Sequence, residues 1–363
     1  MIMRAIIQIA ATLLLLASAA SAALGATVTS CAAIPAALAA ALPGDVISTG
    51  PITCTAPVVI SKVNAGGVTI DATGAQLQQG MAVIASSGIT FKGGTYGMRQ
   101  RDTAARYAIA INGGSHISFA GATVLGGPVS LTATGAFATG DRGGLQARGG
   151  QFITVRDSRF IGFRTALMFY QVADSLIARN HFTEASSDGI NVVGSYRVIV
   201  AGNYARWEKR IGKAHPDGIQ LWSLPNFPLQ SDIWVINNAT IGMMQGILSS
   251  DPKTEPGSGT RLHFHGNYCP VVFSHTITCG LCTNSVATDN VLASYPGSLF
   301  GIGKIKGFET VRGNVVARNV MLDGTKALPP RTWWYGKVPL EGKVGSAYDL
   351  RALMASTITG AVP

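Results

Sequence analysis

Residues 186–222 read SSDGINVVGSYRVIVAGNYARWEKRIGKAHPDGIQLW. Two near-copies bracket the stretch, Ser187-Asp188-Gly189-Ile190-Asn191-Val192 and Pro216-Asp217-Gly218-Ile219-Gln220-Leu221. Between them lies a short β-rich run, Val198-Ile199-Val200-Ala201, closed by Gly202-Asn203. Strand, small turn, strand is therefore the local plan, and the question is whether it repeats.

It does. The β-rich run recurs at Ile89 (ITFKGGTY), Ile117 (ISFAGATV), Ile153 (ITVRDSRF), Ser175 (SLIARNHF), Val198 (VIVAGNYA), Ile233 (IWVINNAT), Leu262 (LHFHGNYC), Ser285 (SVATDNVL) and Glu309 (ETVRGNVV). A weaker copy is Gly67-Val-Thr-Ile-Asp71. The shortest steps, 22 to 24 residues, fit one coil of a right-handed parallel β-helix, and longer steps are coils carrying inserted loops on one face. The sixth position of the copies makes a column: Ser158, Asn180, Asn203, Asn238, Asn267, Asn290 and Asn314. Stacked parallel strands repeat a side chain about every 4.8 Å, and amides at that spacing hydrogen-bond into a ladder. A leucine-rich repeat lacks this consensus, and an antiparallel sandwich does not generate the column.

A second strand follows in the middle coils: Thr165-Ala-Leu-Met-Phe, Asp188-Gly-Ile-Asn-Val, Asp217-Gly-Ile-Gln-Leu and Gln245-Gly-Ile-Leu-Ser. Alternation sends Leu167, Ile190, Ile219 and Ile247 inward, and Met168, Asn191, Gln220 and Leu248 outward. A buried, unpaired carboxylate is costly. The glycine is therefore expected to break the alternation and leave Asp188 and Asp217 at an exposed turn.

The predicted architecture is an all-β, single-domain solenoid over residues 23–330, with a short capping helix at 31–42 (CAAIPAALAAAL). Residues 331–363, with Trp333-Trp334-Tyr335, are expected to pack on the solenoid or close its far end. Residues 1–22 combine Arg4, an apolar run and Ala20-Ser21-Ala22, the pattern of a signal peptide. The mature chain is thus expected outside the cytoplasm, with no membrane association after cleavage. Its five cysteines suit that setting. Cys31 and Cys54, one coil apart, are expected to pair. Cys269 is expected to pair with Cys279 or Cys282, leaving one thiol.

Net charge is +10, and removing residues 1–22 deletes one Arg and no acid, leaving +9. A surplus of that size on an exported protein points to a polyanionic partner. No nucleic-acid motif accompanies it, which leaves an acidic polysaccharide. The basic loop before the second Asp-Gly supplies Arg206, Arg210, Lys213 and His215. Arg forks onto carboxylates, and His titrates near neutrality, so His215 is the candidate base for removing a proton next to a uronate carboxylate. Asn191, Gln220, Trp222 and Gln245 line the same stack as further contacts. Asp188 and Asp217, one coil apart, are candidate catalytic acids, and Ca²⁺ is their alternative occupant.

SSDGINV is similar to the NTDG-type motif of the polygalacturonase family of glycoside hydrolases, and HPDGIQL falls where that family has its paired-Asp motif. LPGDVI at 42–47 resembles the start of many pectate-lyase-like β-helices. The resemblance implies a pectin-lyase-like fold and catalytic roles for Asp188 and Asp217. Pro216 replaces the family's other Asp, and Gln245 stands where a His is usual. The sequence favours a polysaccharide lyase acting by β-elimination. The alternatives are an inverting hydrolase using the two acids, a uronate epimerase, and a non-catalytic polysaccharide-binding or assembly protein.

Overall fold

The computed structural model describes residues 25–97, 106–126, 143–208, 216–251, 254, 257–295, 303–308 and 313–322. The expected signal peptide, the C-terminal tail and the segment holding Arg210, Lys213 and His215 lie outside the described residues.

Each β-rich run pairs in parallel with its counterpart one coil away, and the coils wind into three sheets of twelve, ten and eleven strands among the described residues. The first sheet takes the runs identified in the sequence, with Ile89 opposite Ile117 and Ile117 opposite Ile153. Val198 likewise sits between Ser175 and Ile233. The inward side chains of all three sheets fill one continuous apolar core. A short helix, α1 (Ile34–Ala40), starts with Pro35 in its first turn and buries Ile34 and Leu38 in that core. The Cys31–Cys54 disulfide ties the short turn leading into α1, Cys31–Ala33, to the first coil.

The amide ladder forms as expected through Asn290. From Asn203 on, each Asn side-chain oxygen accepts the preceding coil's backbone N–H and side-chain amide, as Asn238 does from Asn203 at 2.9 and 3.0 Å. Its own amide reaches Val200 O at 2.8 Å and Asn267 at 3.1 Å. Every group at this tight corner is thereby satisfied without water. Among the described residues the last rung is Asn319, which takes the Asn290 N–H at 2.9 Å, and not the expected Asn314. The final copy begins at Asn314 (NVVARN), because Val286 pairs with Val315. Asn314 instead caps Ser285 N at 2.8 Å, a different corner. Glu309-Thr-Val-Arg-Gly-Asn314 mimics the same spacing five residues early, which explains the misplaced register.

A second ladder runs on the outside. Arg179 forks onto Asp157, Arg197 onto Asp174, Arg261 onto Asp232 and Arg318 onto Asp289, each with two contacts of 2.6–2.9 Å. These pairs occupy four of the chain's 18 acids in coil-to-coil links. The expected Cys269 pairing does not occur. Cys279 and Cys282 flank a two-residue turn with Cα atoms 5.6 Å apart and join each other. Cys269 stays buried and free in a strand of the third sheet.

Candidate functional site

The second sheet carries the site. Its central strands are β1 (Tyr107–Asn112), β2 (Gly143–Arg148), β3 (Leu167–Tyr170), β4 (Ile190–Val193), β5 (Asp217–Trp222) and β6 (Gln245–Asp251), in that spatial order. Leu167, Ile190, Ile219 and Ile247 stack in register and point into the core, as the alternation requires. The outward column is Gln146, Met168, Asn191 and Gln220, one residue per coil.

This column floors a cavity of about 420 Å³. Arg106, Tyr107 and Arg164 line one side, Arg148, Tyr170 and Trp222 the other, and Asp188 reaches it from the coil of β4. Gly143 makes room for the Tyr107 ring, since a Cβ there would lie 2.1 Å from two ring carbons. The Tyr107 hydroxyl sits 3.7 Å from Met168 Sδ, and the Gln146 amide reaches the same sulfur at 3.3 Å. The Arg148 guanidinium lies 5.1 Å above the Tyr170 ring centre.

Both acids depart from the expected exposed turn. Asp188 is half-buried and its two oxygens are held, one by the Asp217 backbone N–H at 3.1 Å and the other by the Asn191 amide at 3.2 Å. Asp217 is only 3% exposed and does not line the cavity. The glycines explain why the acids sit so deep. A Cβ on Gly189 would meet Gly218 O at 2.6 Å, and one on Gly218 would meet the Thr240 side chain at 2.4 Å. The backbone therefore lies tight against the interior, and the acids descend with it.

Burial raises the pKa of Asp188 above the usual carboxylate value, opposed by the Asp217 N–H, Asn191 and the charge of Arg164. Burial, then the negative charges of Asp188 and Asp251, holds Asp217 well above that value. Two crowded carboxyls of this kind keep a proton between them, and the deeper Asp217 is its natural holder. Burial also raises the Tyr107 phenol, against the pull of Arg106 and Arg164. The cavity then presents three guanidinium charges against one carboxylate.

Of the residues singled out by sequence, Asp188, Asn191, Gln220 and Trp222 come together at the cavity. Gln245 pairs with Asp217 in register and is buried beside it. Arg206 lies on the third sheet in an exposed pair with Glu208 at 2.6 Å, away from the cavity. Trp207 is sealed in the core and offers no stacking face. Sequence reasoning missed Arg106, Tyr107, Arg148, Arg164 and Tyr170. Extending the second-strand pattern back to Gly144-Leu-Gln-Ala-Arg148, where Leu145 pairs with Leu167, would have found Arg148. Among the described residues no group of three or more His, Cys, Asp or Glu is placed to hold a metal ion. Nor, among them, is any helix long and apolar enough to cross a membrane.

No protein-family profile and no curated protein matches the chain. Solved structures do. An alginate lyase from Paenibacillus sp. str. FPU-7 is similar at 14% identity and TM-score 0.51, over 80% of this chain and 98% of that one. PfbA, a surface adhesin of Streptococcus pneumoniae, is similar at 13% identity and TM-score 0.49, over 82% and 89%. The A-module of the mannuronan C-5 epimerase AlgE4 of Azotobacter vinelandii is similar at 11% identity and TM-score 0.45, over 85% and 96%. At 14% identity the likeness to the alginate lyase establishes the architecture alone: the chain is a right-handed parallel β-helix.

Proposed function

We propose that the protein is an extracytoplasmic enzyme that cleaves an acidic polysaccharide by β-elimination in the groove over β1–β5. The observation that carries this reading is the composition of the cavity: among the described residues, three arginines and two tyrosines surround a single accessible carboxylate. The alginate lyase and the epimerase among the fold neighbours are compatible with it. The Cys31–Cys54 disulfide supports an oxidising compartment.

In the proposed reaction an arginine pairs with the uronate carboxylate and draws charge from it, which acidifies the adjacent C–H. A base takes that proton, and His215 keeps its assignment to this role from the sequence. The C–H electron pair becomes the new C=C bond, and the neighbouring C–O bond breaks with its electrons on oxygen. The Tyr107 phenol, kept protonated by burial, gives its proton to the leaving oxygen. Epimerisation shares the first step and differs in returning the proton to the opposite face. An inverting hydrolase needs two carboxyls flanking the bond, and the burial of Asp217 weighs against it.

The test is a screen of acidic polysaccharides that follows ultraviolet absorbance and reducing ends together. Both rise for a lyase. Reducing ends alone would move the reading to a hydrolase. Inverted uronate stereochemistry with unchanged polymer length would move it to an epimerase. Binding with no chemical change would make the groove a lectin-like site.

A further inference from the structure

The three groove arginines lie on three successive coils, and they alternate between its two sides. Arg106 stands immediately before Tyr107, at the start of β1. Arg148 ends β2, opposite Asn112 of β1 and Tyr170 of β3. Arg164 precedes β3 and stands one residue before Thr165, which is two residues before the Leu145–Leu167 pair. Tyr107 pairs with Gly143, which is also two residues before Leu145, so Arg106 and Arg164 share one edge of the sheet. Arg148 occupies the opposite edge, six strand positions away from the level of Arg164, roughly 20 Å between backbones at about 3.3 Å per residue. Along the helix axis the three are one coil apart each, about 4.8 Å per step.

An extended 1,4-linked pyranose chain advances by nearly this step per sugar. When consecutive sugars are flipped by half a turn, their carboxylates project to alternate edges of the ribbon. Left, right, left at one-coil intervals is therefore the pattern of three consecutive uronates. The amide column of Gln146, Asn191 and Gln220, with Met168, runs between the two edges and faces the ribbon's centre.

Resting on the reading above, we infer that the groove is built for a homouronan, a chain carrying a carboxylate on every sugar, lying along the helix axis as an extended twofold ribbon. Arg106, Arg148 and Arg164 each take one of three successive carboxylates. A copolymer with a uronate on every second sugar presents its carboxylates to one edge only. It reaches Arg106 and Arg164 but leaves Arg148 opposite a neutral residue.

The experiment measures affinities of the full mature chain by titration calorimetry. The probes are tetrasaccharides of polymannuronate, polyguluronate and polygalacturonate, with the same chains carrying every second carboxyl reduced to the alcohol for comparison. All three arginines are exposed, so Arg106→Gln, Arg148→Gln and Arg164→Gln are expected to keep the wild-type melting temperature. Each is expected to weaken the tightest homouronan by about tenfold or more, the scale of one charge-assisted contact. The alternately reduced chain is expected to bind the wild type more weakly than that homouronan by a similar factor. Equal affinity for the alternately reduced chain, or an Arg148→Gln variant within about twofold of wild type, overturns the inference and leaves the acidic-polysaccharide reading standing. Failure of every oligosaccharide to bind overturns both.

Discussion

Tyr107→Phe separates a chemical role from a structural one, because the two effects fall in different ranges. The hydroxyl's hydrogen-bonding contact is the Met168 thioether at 3.7 Å, a weak acceptor. Phe keeps the ring against Gly143, whose missing Cβ is what admits it. The stability cost is then at most that of one ordinary hydrogen bond, about 0.5–1.5 kcal/mol. Loss of a proton donor from the transition state costs about 10²–10⁴ in rate, which is about 3–5.5 kcal/mol of barrier. The assay is the initial rate of absorbance rise on the best substrate, with kcat and KM resolved, beside a urea titration. We expect kcat to fall into that range with KM little changed. On the alkaline side the wild-type rate should hold until the raised phenol ionises. A Tyr107→Phe enzyme with kcat within about threefold of wild type, less than 1 kcal/mol of barrier, refutes the assignment of the phenol as proton donor. Gly143→Ala is the companion variant: its Cβ displaces the half-exposed Tyr107 ring, so activity in the same absorbance assay should fall.

Asn238→Ala orphans Val200 O and Asn203 N in the buried ladder, at about 1–3 kcal/mol each, so urea unfolding should show a loss of about 2–6 kcal/mol. Asp217→Asn tests the buried acid by its pH dependence. Its folded pKa is raised, so the wild type is favoured while Asp217 is protonated and loses that stability as pH rises through the folded value; the variant should gain on the wild type from acid to alkaline pH, and a constant difference between pH 4 and 9, as about the span in which a raised carboxyl titrates, would count against a buried proton. His215→Ala should abolish turnover while leaving oligosaccharide binding measurable by calorimetry, and full turnover would move the base elsewhere. Arg206→Gln breaks only an exposed pair with Glu208, worth about 0–1 kcal/mol, and should leave the affinity for the tightest homouronan within about twofold.

The solenoid was legible because its signal is cooperative. Eight copies of one short pattern fall into register, and the inward Leu167, Ile190, Ile219 and Ile247 follow from alternation alone. Glu309 misled because an x-Val-x-x-Asn rhythm occurs twice within ten residues, and only strand pairing distinguishes them. Asp-Gly ordinarily marks a turn with an exposed acid, whereas the glycines here serve close packing against Thr240 and a neighbouring backbone. That distinction is tertiary and leaves no local mark. The arginines were missed for a related reason. Residues 106, 148 and 164 are far apart in sequence, and the inserted loop between Ile117 and Ile153 hides that their coils are adjacent.

The alternation of Arg106, Arg148 and Arg164 has a consequence for how such a groove changes over evolution. Each coil is nearly autonomous, touching only the coil above and the coil below. Duplicating the coil of β2 would add a second arginine on the same flank and break the left–right phase. Duplicating β2 and β3 together would preserve it and lengthen the recognised oligosaccharide by two sugars. Substrate length in this scaffold therefore grows in even increments, set by the symmetry of the polymer and not by the size of the protein.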